Sequence, residues 1–252
     1  RDSMNKPRPW LYWAVLSVLC LLGVSCCKQQ QKDPFRYKVA IIGNPSNPDI
    51  RYDESQMQAL KDLGYNTLQL NIAWGARPAD EPLNLEDILY VDGIGSREKA
   101  DQRLQAIKER ARIAKKWGFR TLFHFGAPRV DSLYKILTPD LIDIATEKNS
   151  IQKKEIVDKY VSLLKRLKQE VPELDDIEVY TFDQDAWVAN EFGNGPTDRD
   201  IPLHERIPAF LQALTGTWAE VSPDGMVWWE PWEISAGQIY ACIPSLPTRN
   251  FG

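Results

Sequence analysis

The run Ile177-Glu178-Val179-Tyr180-Thr181-Phe182-Asp183-Gln184-Asp185-Ala186-Trp187, continuing to Asn190-Glu191-Phe192-Gly193, decides how the rest of the chain reads. An apolar, strand-like start empties abruptly into carboxylates, a carboxamide and an indole, then into a loop bearing Gly195 and Pro196. A parallel strand that carries side chains to the rim of a sheet has this form, apolar along its length and functional at its carboxyl end.

Upstream, Phe35 to Ile42 reads as a first strand, with Val39, Ala40, Ile41 and Ile42 as a run buried on both faces. Gly43-Asn44-Pro45 breaks it. Asp53 is placed to cap a helix through Met57, Leu60 and Leu63 that Gly64 closes. Thr67 to Trp74 is then a second strand, which completes a βαβ unit and implies parallel pairing. A long loop follows with Glu81, Asp87 and Asp92. Ser96 caps the next helix, where Ala100, Leu104, Ile107, Ala111 and Ala114 make one stripe, and Gly118 ends it. Arg120 to Phe125 is the third strand, and the connection after it holds a short helix near residues 140–145. Ser150 caps a helix with Ile156, Tyr160, Leu163, Leu164 and Leu167 on one side, and Pro172 breaks it before the opening run, the fourth strand.

Downstream, Pro202 and Pro208 bracket the approach to a helix with Phe210, Leu211, Leu214 and Trp218 on its apolar side. Asp224-Gly225 turns into a fifth strand, Met226 to Glu233. Gly237, Pro244 and Pro247 then lead to Gly252 with no closing element expected.

Strict alternation of strand and helix fits an α/β protein, either a (β/α)8 TIM-type barrel or a doubly wound sheet. No glycine-rich phosphate loop follows the first strand, which favours the barrel. At roughly fifty residues per unit, eight units exceed the length available, so the barrel is expected to be incomplete, with about five βα units. The expected division is 1–34, a signal and polar tether, and 35–252, a C-terminally truncated barrel domain.

The first segment has Lys6 and Arg8, the apolar run Trp10 to Val24, then Ser25-Cys26-Cys27. That is the pattern of an export signal. Gly23-Val24-Ser25-Cys26 resembles the lipobox of bacterial lipoproteins, with Gly23 where that motif usually has Leu. The resemblance implies lipidation at Cys26 and anchoring in the bacterial cell envelope, periplasmic or at the cell surface. An uncleaved anchor or a plain signal peptide are the alternatives, and each also exports the body. Cys242 is the one cysteine of the body, so no disulfide framework is expected. With two His in the chain and no Cys/His spacing, neither metal nor cofactor is expected. A net charge of -4 without a basic face argues against nucleic acid.

In a barrel the strand ends converge on one face. Here they supply Asn44, Asn71, Trp74, His124 and Arg129 from the first three, and Asp183, Asp185 and Trp187 from the fourth. The fifth adds Glu230, Trp232 and Glu233. Strand parity allows only one of Glu230 and Glu233 to face the axis. Carboxylates can protonate a leaving oxygen and attack or activate water, while tryptophans stack on sugar rings. Bland readings stand beside these: Asp183 and Asp185 as loop caps, His124 as a structural histidine, and His204 as a residue holding a loop.

On these residues the chain resembles the exported bacterial (β/α)8 glycoside hydrolases. In their largest clan an Asn-Glu pair near the fourth strand end holds the acid/base, which Asn190-Glu191 matches as a dipeptide several residues beyond the strand. The nucleophile of that clan ends a seventh strand. The resemblance implies a poly- or oligosaccharide substrate cleaved by Asp183, Asp185, Glu191, Glu230 or Glu233. Asn44, Asn71, Trp74, His124, Arg129, Trp187 and Trp232 would bind the sugar. The alternatives are a non-catalytic carbohydrate-binding or scaffold lipoprotein and, third, a metal-dependent barrel hydrolase or isomerase.

Overall fold

The computed structural model describes residues 35–43, 50–72, 81–129, 148–180, 197–198, 200–231 and 234–252. Tyr37–Gly252 forms one compact unit. Its strands are β1 (Val39–Ile41), β2 (Thr67–Gln69), β3 (Arg120–Gly126), β4 (Asp176–Tyr180) and β5 (Val227–Glu230). Between and after them run α1 (Glu54–Asp62), α2 (Arg97–Lys116), α3 (Lys154–Glu170), α4 (Leu203–Val221) and α5 (Ala236–Cys242). Every strand pairs in parallel with the next, in the order β1-β2-β3-β4-β5. A doubly wound sheet reverses its strand order at a switch point, and this sheet has none. Continuous winding in one direction is the barrel pattern.

Parallel register puts paired residues on the same face. His124 lies opposite Glu178, Glu178 opposite Trp228, and Tyr180 opposite Glu230. The other face of the strands carries Leu68, Phe123, Phe125, Ile177, Val179 and Val227, which join the helix stripes in the main core. One face is therefore apolar and covered by helices. The opposite, axial face is polar where it nears the carboxyl ends.

Local signals explain most of the elements. Asp53 accepts from Gln56 N at the start of α1, and Gly64 beyond its end has φ +82°, a conformation natural to glycine. The Ala100–Ala114 stripe of α2 is buried throughout, as its spacing requires. At the amino end of the sheet, Arg120 donates to both carboxylate oxygens of buried Asp176, which also accepts from Met226 N.

Four expectations are corrected. β1 is not buried on both faces: Val39 is 41% and Ile41 40% exposed, because only their neighbours from β2 flank them on the axial side. Ser150 is not the cap of α3, whose N-cap is Lys153; its hydroxyl bonds instead to buried Asp198. Pro208 lies inside α4, with Pro202 as N-cap, and His204 is in that helix rather than in a loop. Pro208 is the sixth residue of the helix, past the unpaired donors of its first turn, so the helix forgoes one ladder bond there.

The fourth correction is at the end of the chain, where α5 forms behind a Ser235 capping box. Val227 N then donates to Asn250 O, Trp229 N to Gly252 O, and Gly252 N to Val227 O. Residues 250–252 thus lie parallel beside β5. The expected helix near residues 140–145 falls outside the described residues.

Candidate active site

His124 lies near the carboxyl end of β3 between Phe123 and Phe125, which turn to the core and leave the imidazole on the axial face. Its place is fixed by Asn71. The Asn71 amide donates to His124 O at 2.8 Å and to Pro82 O at 3.0 Å, while its carbonyl accepts from His124 N at 3.1 Å. A carboxamide thus stands in for a strand backbone beyond the end of β2. The ring of Tyr180 meets the imidazole edge-on, with centroids 4.9 Å apart.

One ligand-type atom from each of His124, Glu178 and Glu230 lies within 4.8 Å of the other two. His124 Nε2 is 3.0 Å from Glu230 Oε2. The imidazole is buried, whereas the Glu230 side chain is 38% exposed and reaches solvent at the rim. Glu178 sits one layer deeper, level with His124. The two carboxyls are pushed in opposite directions. The short contact with His124 holds Glu230 below the usual carboxylate range, against a smaller effect of burial. Burial pushes Glu178 up, with His124 opposing and Glu230 adding to the rise.

An imidazole and two carboxylates are also donor types for a divalent cation. Around a zinc ion the ligand atoms of a tetrahedral site sit about 3.4 Å apart, given the usual bond lengths. The spread of up to 4.8 Å is looser, and His124 already faces Glu230. The arrangement fits two acids sharing one imidazole better than a metal centre.

Two residues expected to bind substrate are engaged inside the fold. Asn71 is 2% exposed and spends its amide on backbone. Arg129 donates to Asp87 Oδ1 at 2.7 Å, and its backbone N donates to Tyr160 Oη at 2.6 Å. Asp87 also accepts from Leu83 N and Asn84 N. Burial would raise the Asp87 carboxyl, but the two amides and Arg129 outweigh it and hold the group below its ordinary value. Tyr160 donates to buried Glu86, so the loop after β2 is clamped onto α3 and the end of β3. Glu81 adds a second clamp through two bonds from Arg110, at 2.6 and 3.0 Å.

Of the remaining expected residues, Asn44, Trp74, Asp183, Asp185, Trp187, Glu191, Trp232, Glu233 and the lipidation candidate Cys26 lie outside the described residues. Glu178 was missed as a site residue. Its signal was present: a carboxylate between core-facing Ile177 and Val179 must point to the opposite face of its strand.

A structure of an O-GlcNAc hydrolase from Thermobaculum terrenum superposes with TM-score 0.52 at 14% identity, covering 86% of this chain and 40% of that one. The likeness is one of fold, a parallel (β/α) barrel sheet shared with that enzyme. An endo-glycoceramidase II from Rhodococcus sp. gives TM-score 0.45 at 14% identity, over 77% of this chain and 48% of that one. This chain thus spans less than half the length of either enzyme. No family model matches the sequence, and no curated protein matches it in sequence.

Proposed function

We propose that the chain belongs to a glycoside hydrolase that cleaves a poly- or oligosaccharide with carboxylates at the strand ends. The observation that carries this is Glu230, a rim carboxylate at the end of a barrel strand, kept ionised by a buried imidazole 3.0 Å away. A nucleophile or water-activating base needs that charge state, and its partner acid must hold a proton. The acid is assigned to the segment after β4, where Asp183, Asp185 and Glu191 follow in sequence. Trp74, Trp187 and Trp232 are assigned to stacking on sugar rings. The body is assigned to the bacterial envelope, exported and held by a lipid on Cys26, an assignment that rests on the Lys6–Cys27 pattern alone.

Release of reducing sugar from a glycan panel tests the activity. Glu230→Gln is expected to lower kcat by about 10²-fold or more, the scale of a lost acid/base group. Undiminished turnover in Glu230→Gln would remove the base from β5. Undiminished turnover in all of Asp183→Asn, Asp185→Asn and Glu191→Gln would remove the acid from the fourth strand. Glycan binding without turnover in the full-length protein would favour the carbohydrate-binding alternative. Mass spectrometry of the mature N-terminus, with and without Cys26→Ala, tests the anchor.

A further inference from the structure

Two carboxylates face one imidazole, and only one of them has it at contact distance. Glu230 approaches His124 to 3.0 Å, while Glu178 lies beside both, within 4.8 Å. Among the described residues, Tyr180 on the same strand also faces this cluster through its ring contact with His124. Asp176, two residues back on the same face, is committed to Arg120 and Met226 N and offers Glu178 no counter-charge. Trp228, opposite Glu178 on β5, is neutral. Among the described residues, the cluster therefore offers one imidazole to two acids that are too close to ionise independently.

We infer that Glu178 is a positioning residue that keeps its proton while Glu230 is ionised, so that the His124 ring is committed to Glu230 alone. Neutral Glu178 leaves Glu230 as the carboxylate that faces the ring and fixes it at the rim. Once Glu178 releases its proton to solvent, two carboxylates compete for one ring, and Glu230 loses its fixed partner. The acid below the rim thus sets the upper pH at which the rim carboxylate stays oriented. This rests on the glycosidase reading for its consequence in catalysis, but not for the proton-sharing itself.

The chain has two histidines, and His204 on α4 serves as an internal control. Proton NMR of the imidazole C–H signals, assigned with His204→Gln, follows both rings against pH. In the wild type the His124 signal is expected to move in a separate small step as Glu178 ionises. That step is lost in Glu178→Gln, while the His204 curve is unchanged. In Glu230→Gln the same step moves to lower pH by roughly half a unit or more, because Glu178 has lost its like-charged competitor. His124 curves that superimpose in wild type, Glu178→Gln and Glu230→Gln would overturn the inference.

A second reading is the kcat–pH profile, whose alkaline limb is expected to shift upward in Glu178→Gln. A purely structural role would lower the whole profile without moving that limb, and this result also counts against the inference. If no protein hydrolyses any glycan while the NMR steps behave as described, the glycosidase reading fails and the proton-sharing stands.

Discussion

Replacing Asn71 with Ala would strip partners from His124 N, His124 O and Pro82 O in a buried place. An expected loss of about 2–4 kcal/mol follows from leaving such groups unsatisfied, and urea denaturation measures it. The two carboxyls should mark themselves in opposite ways. Glu178 has its folded value above the unfolded one, so the native state binds the extra proton, and stability falls as pH rises through that window. Glu178→Gln is therefore expected to gain in Tm relative to wild type as pH goes from acid to neutral. Glu230 has the reverse sign: its stabilisation is present above the ordinary carboxylate value and fades as pH falls through the lower folded value. Because its side chain is more than a third exposed, screening limits this effect to under about 1 kcal/mol. A Tm advantage of Glu178→Gln that is flat across pH would contradict the first sign. At this scale the sequence shows which chemistry is carried, not with whom it is shared. Asn71 and Arg129 carry hydroxyl- and anion-binding groups in suitable places, yet partners far away in the chain, His124 and Asp87, already hold them.

Helices and strands were legible where one local signal sufficed, as with the Asp53 cap or the stripe of α2. They were less so where a competing partner intervened. Ser150 has the cap chemistry that the start of a helix asks for, but its hydroxyl is taken by Asp198 in a distant loop. The loop after β2 shows what such long-range ties achieve. Its segment from Glu81 to Asp87 is held by Arg110, Arg129 and Tyr160, from α2, the end of β3 and α3. Asp87→Asn weakens the charge-assisted bond to Arg129 and unbalances those to Leu83 N and Asn84 N. We expect it to cost about 1–3 kcal/mol at neutral pH. The difference should shrink in acid, as the wild-type carboxyl takes up its proton through its lowered folded value. A pH series of thermal melts on both proteins tests this.

For the whole molecule, parallel pairing was readable from alternation, because a βαβ unit has few ways to wind. The strand order and the one-sided placement of helices rested instead on the lack of a glycine-rich phosphate loop after β1. Burial of β1 was not readable, since it depends on which strands lie beside it rather than on its own residues. Ile41→Ala, on the axial face, should therefore cost less than about 1 kcal/mol, whereas Leu68→Ala, under the helices, should cost about 2–5 kcal/mol. Equal shifts in the urea midpoint would refute that asymmetry. No helix among the described residues is long and apolar enough to cross a membrane. The pairing of residues 250–252 with β5 bears on how the sheet meets deuterated solvent. The amides of Val227 and Trp229 are closed by the carbonyls of Asn250 and Gly252, so their exchange should be as slow as in β3.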